Sequence, residues 1–119
     1  MVALLLSGCA TDPSIAARIR EKSTVYATLK ASDRWDISGG YFRMGFTPDM
    51  VYMAMGAPLR VEVCKYDGER AEFWTYDHVH FGSGEHPYSL KVLFQNGKAI
   101  QVLYCPTSER DKPYEWHKF

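Results

Sequence analysis

Between Pro58 and Tyr104 the apolar residues alternate with a period of two, whereas upstream of Pro58 they recur three or four residues apart. A strand needs the first spacing and a helix the second, so the change dictates a chain with helices first and sheet afterwards. Leu59, Val61 and Val63 alternate with Arg60, Glu62 and Cys64, Asp67-Gly68 provides a turn, and Ala71 to Tyr76 run back as a second strand. A loop rich in His and Gly follows from Asp77 to Pro87. Tyr88 to Gln95 and Lys98 to Tyr104 then flank Asn96-Gly97, a dipeptide that accepts the positive φ angles of a two-residue hairpin. Leu90, Val92 and Phe94 are expected to share a face with Ile100, Val102 and Tyr104.

The helical half has its own punctuation. Asp12 is a good N-cap with Pro13 at the first helical position, and Ile15 and Ile19 then lie one turn apart. The pattern breaks near Ser23-Thr24. Ser32 is the expected cap of a short helix carrying Trp35 and Ile37, with Asp33 at its positive end and a stop at Gly39-Gly40. Thr47, Pro48 and Asp49 open a further helix, and Phe46 and Val51 have the spacing of a hydrophobic staple. Val51, Ala54 and Met55 form the expected buried stripe, and Gly56 and Pro58 end the helix near Met55. The expected fold class is α+β, two or three short N-terminal helices packed on a four-stranded antiparallel sheet.

That topology bears on the cysteines. In a meander, Cys64 and Cys105 lie on opposite edge strands and at opposite ends, separated by tens of ångströms at ~4.8 Å per strand and ~3.3 Å per residue. A disulfide spans Cα atoms only about 4.4–6.8 Å apart, so both thiols are expected to be free.

The first nine residues, Met1-Val2-Ala3-Leu4-Leu5-Leu6-Ser7-Gly8-Cys9, are an apolar run ending in small residues and a cysteine. This resembles the lipobox of bacterial lipoprotein signal peptides, which would make Cys9 the acylated first residue of the mature protein. The run is shorter than the roughly 7–15 apolar residues of a complete signal peptide and no Lys or Arg precedes it, so the true start is expected upstream. Several acyl chains at ~0.8 kcal/mol per buried CH₂ would hold the protein on a bilayer. Ala10 follows Cys9 where an Asp often marks inner-membrane retention, which points to the outer membrane. The expected organisation is a truncated signal peptide at 1–8, a tether with a possible helix at 9–31, an α+β domain at 32–105 and a C-terminal tail at 106–119. The tail interleaves charges with Tyr114, Trp116 and Phe119, and reads as a disordered end or a partner-binding strip.

Composition narrows the partners. Fourteen basic and fourteen acidic residues cancel, leaving no net field to attract nucleic acid. Seventeen aromatic rings (eight Tyr, six Phe, three Trp) in one small domain supply core and an exposed contact surface.

Gly45-Phe46-Thr47-Pro48-Asp49-Met50-Val51, Met55-Gly56-Ala57-Pro58 and Trp74-Thr75-Tyr76 together resemble the motif of the SmpA/OmlA (BamE-like) family of small bacterial outer-membrane lipoproteins. The resemblance covers about Arg43 to Tyr104. It implies two helices on a small antiparallel sheet, no catalysis and no cofactor, and action by contact with envelope proteins, among them the machinery that assembles outer-membrane proteins. Carried onto this chain, Gly45, Thr47, Val51, Gly56, Pro58, Trp74 and Tyr76 are turn, cap and packing residues. Phe46 and Met55 stand where the family has Met and Leu. The stretch from Ala31 to Phe42 lacks the Gln and Asn found before the first domain helix in the barrel-assembly members, so membership is implied more strongly than that role.

Two chemistries compete with this reading. His78 and His80 on alternate strand positions form a two-nitrogen clamp that His86 or Glu85 can complete for Zn²⁺ or Cu²⁺, giving a periplasmic metal- or small-ligand-binding protein. No known ligand spacing surrounds them, so a solvated loop is the expected outcome. A Cys-His nucleophile built on Cys64 or Cys105 has no activating group nearby in sequence. The expectation is a non-enzymatic lipoprotein with membrane lipid and an envelope protein as partners.

Overall fold

The structure, a computed structural model, describes residues 12–79, 87–106 and 117–118. It is an α+β fold of four short helices and an antiparallel sheet, divided into two compact units. The first unit takes in residues up to Phe42 together with Asp49–Gly56, and the second Arg43–Pro48 with everything from Ala57 onward.

In the first unit, α1 spans Pro13–Glu21. Asp12 caps it as its sequence predicts: its carboxylate accepts from the Ser14 N–H at 2.8 Å and from the Ser14 hydroxyl. These hydrogen bonds favour the ionised form, so the Asp12 carboxyl titrates below its ordinary range. The break near Ser23 appears as Lys22, which separates α1 from the one-turn α2, Ser23–Ala27. Helix α3 spans Ala31–Ser38 and stops at Gly39. Its N-cap is Lys30, two residues earlier than the expected Ser32 cap, so Ser32 lies inside the first turn. Helix α4 spans Pro48–Met55, and its buried residues are Met50, Val51, Met53 and Ala54. Met55, expected in that stripe, is only half-buried.

Side-chain contacts hold α1 and its C-cap Lys22 against α4. Arg18 donates from Nε to the Met53 carbonyl at 3.1 Å and from its guanidinium to the Ala54 carbonyl at 3.4 Å. A helix leaves its last carbonyls without intrahelical partners, and a cation at that end also opposes the helix dipole. Tyr52 donates its hydroxyl to Glu21 at 2.6 Å, which raises the Tyr52 pKa because the phenol proton is held by a carboxylate. Lys22 pairs with Asp49 at 3.4 Å and lies 5.8 Å from the Tyr52 ring centre.

In the second unit, β1 (Arg60–Tyr66), β2 (Glu69–Val79), β3 (Tyr88–Gln95) and β4 (Lys98–Pro106) form an antiparallel meander. Asp67 and Asn96 have φ of 53° and 54°, each followed by a glycine at positive φ, the signature of two-residue type I′ hairpins. A fifth strand, β5 (His117–Lys118), adds to β4 opposite Leu103 and Tyr104. Leu90 pairs with Tyr104 and Val92 with Val102, so these four share a face as expected. Phe94, however, pairs with Ala99, because the register shifts after Leu93. The bulge takes Ile100 out of the shared face and leaves it 40% exposed. Strand β2 also continues to Val79, through Asp77 and His78 assigned above to the loop, with a second register shift after Tyr76.

Leu90, Val92, Phe94, Tyr76 and Val102 are buried on one side of the sheet, and Ala71, Leu93, Ser89 and Cys105 on the other. Ser89 satisfies its hydroxyl by donating to Asp77 at 2.6 Å. Cys64 sits opposite Ala71 on β1 and Cys105 opposite Ser89 on β4, with two strands between them. Neither forms a disulfide.

Candidate functional site

The motif residues fall on structural positions in both units. Gly45 has φ +92° with open space around its missing Cβ, so glycine is required there by backbone conformation and not by crowding. That conformation lets Gly45 N–H reach the Ala99 carbonyl at 2.8 Å while Ala99 N–H reaches the Phe46 carbonyl at 2.8 Å. The motif thereby fastens its own backbone to the start of β4. Thr47 immediately precedes α4, and Val51 is fully buried within it. Gly56 ends α4 at φ +90°, with the Arg18 guanidinium 3.4 Å from where a Cβ would stand. Pro58 follows before β1. Trp74 packs on Phe94 with ring centres 4.8 Å apart and its indole N–H directed at Glu72, and Tyr76 is buried two residues on.

His78 lies in β2, whereas His80, Glu85 and His86 lie outside the described residues. Among the described residues no group of three or more His, Cys, Asp or Glu is placed to hold a metal ion. An open cleft of about 380 Å³ in the second unit is lined by Pro48, Arg70, Glu72, Phe94 and Gln95 among others. Its polar groups are committed within the chain: Arg70 pairs with Glu72 at 3.6 Å, and the Gln95 amide donates to the Tyr66 carbonyl at 2.8 Å. No described helix is long and apolar enough to cross a membrane.

The surface carries what the interior does not use. In the first unit Trp35 is 80% exposed on α3 and Tyr41, just beyond that helix, is 67% exposed. The Tyr41 ring lies over Gly39, 3.0 Å from where a Cβ would stand there, and its N–H donates to the Asp36 carbonyl at 2.8 Å. In the second unit Val61 and Val63 are 50% and 61% exposed on β1, and Leu59, just before it, is 64% exposed. Single apolar residues on a surface are ordinary, but a tryptophan this bare and an aliphatic row on one strand are the kinds of surface that proteins use for contact. The tryptophan was carried by the predicted α3; its outward direction was not readable from that helix alone.

Comparison of the chain with protein-family models, with curated proteins and with solved structures finds no match.

Proposed function

We propose that this chain is a lipid-anchored envelope protein that works by touching another protein, with no bond-making chemistry of its own. The observation that carries the reading is Trp35, a large amphipathic ring left 80% exposed on a helix whose neighbouring Ile37 is fully buried. Tryptophan is enriched among the residues that dominate binding energy, because one rigid ring covers much area at little entropic cost. Tyr41 adds a second ring in the same unit. Support for the anchor comes from the Leu6-Ser7-Gly8-Cys9 sequence and from the resemblance of Gly45 to Pro58 and Trp74 to Tyr76 to the SmpA/OmlA motif. In this reading Cys9 carries the acyl chains, the periplasmic face of the outer membrane is the site of action, and α3 presents its aromatic ring to an envelope partner.

A photo-crosslinking amino acid placed at Trp35 tests the contact in intact cells. The expected result is one dominant adduct with an envelope protein, absent when the probe replaces the buried Ile37. Equal, diffuse labelling from both positions would contradict the proposal.

A further inference from the structure

The two edges of the sheet are treated differently. The outer side of β4 is occupied by the chain itself: Gly45 and Phe46 hydrogen-bond Ala99, and β5 pairs with Leu103 and Tyr104. Strand β1 pairs with β2 over all seven residues and has no described strand on its other side. An unpaired edge offers a row of backbone donors and acceptors to another strand.

The hairpin fixes which groups those are. A two-residue turn at Asp67-Gly68 makes Tyr66 and Glu69 a hydrogen-bonded pair, so Tyr66, Cys64, Glu62 and Arg60 turn their backbone groups toward β2. The Leu59 N–H reaching the Thr75 carbonyl at 2.7 Å agrees, since it shows that this carbonyl faces β1. Val61, Val63 and Lys65 therefore direct their N–H and C=O groups outward. The same strand sets Val61 and Val63 on one face and Arg60 and Glu62 on the other.

We infer that β1 pairs antiparallel with β1 of a second copy, about a twofold axis through Val61. In that register Val61 lies opposite the partner's Val61 and exchanges two backbone hydrogen bonds with it. Val63 N–H meets the partner's Leu59 carbonyl, and the reciprocal bond makes four in all. Val61 packs on the partner's Val61 on one face. On the other, Arg60 lies opposite the partner's Glu62 at a non-hydrogen-bonded position, where side chains come closest. Pro58, which has no N–H, ends the ladder. Neighbouring registers lack this match. An axis through Glu62 sets two glutamates face to face, and an axis through Val63 sets Lys65 against the partner's Val61. The charge pattern around Val61 is self-complementary, as an isologous interface requires.

Sedimentation of the Cys9→Ser chain, which removes any contribution from an anchor, tests the pairing independently of the function proposed above. A concentration-dependent dimer is expected. Val61→Lys should weaken it at least about tenfold while leaving the circular dichroism unchanged, because the side chain is exposed. Glu62→Arg should weaken it about tenfold by opposing two arginines, and Arg60→Glu together with Glu62→Arg should restore it. In the paired register, position 61 is about 5.5 Å from its mate, within disulfide range, so Val61→Cys should form a covalent dimer on oxidation. Val63→Cys, offset by four residues from its mate, should not. A chain monomeric at every concentration, a dimer indifferent to Val61→Lys, or covalent trapping through position 63 would overturn the inference. So would a monomer whose β1 edge binds a different envelope protein.

Discussion

Truncating Ile37 to alanine lowers the unfolding free energy by about 2–5 kcal/mol, whereas Trp35→Ala, two residues earlier, changes it by less than about 0.5 kcal/mol. The two residues sit on the same eight-residue helix, and Ile37 is its one buried residue. Removing Ile37 takes away apolar area that water cannot reach and leaves a cavity the surroundings only partly fill. Removing Trp35 takes away a ring that is already solvated, and alanine is the better helix former. Urea denaturation of both variants, compared at constant slope, measures the difference directly. Comparable losses at the two positions would mean that Trp35 is part of the packing and not a surface held out for contact.

The second large effect lies in the sheet. Leu90→Ala costs about 2–5 kcal/mol, while Ile100→Ala costs under about 1 kcal/mol, although both are large aliphatic residues on paired strands. Leu90 is fully buried opposite Tyr104, and Ile100 is displaced by the register shift between Leu93 and Phe94. Thermal unfolding of the two variants checks the contrast. If Ile100→Ala proves as damaging as Leu90→Ala, the unshifted register, with Ile100 on the shared face, is the correct one.

That bulge also marks where sequence reasoning stops. Asp12-Pro13, Asp67-Gly68 and Asn96-Gly97 were legible because each acts within two or three residues, through a cap or a positive φ. Ile100 was not. Its displacement accompanies hydrogen bonds between Ala99 and Gly45-Phe46, partners more than fifty residues away that no local pattern announces. Arg18 is a similar case, because it satisfies carbonyls of a helix that begins thirty residues later. On α3 the limit is geometric. Residues two apart on a helix point about 200° from each other, so only one of Trp35 and Ile37 can face inward, and their hydrophobicities do not say which. On β1 the alternation of Leu59, Val61 and Val63 identified a strand correctly, yet alternation does not distinguish an inner strand from an edge, and here it forms one. Of the histidine group, His78, His80 and His86, only His78, now within β2, belongs to the described residues.

The most direct measurement is the intact mass of the chain recovered from cells that carry its full reading frame. Protein from the membrane fraction should begin at Cys9, with the first eight residues gone and the mass increased by a diacylglycerol and one further acyl chain. An unacylated Cys9 thiol on protein recovered from cytosol would contradict the account.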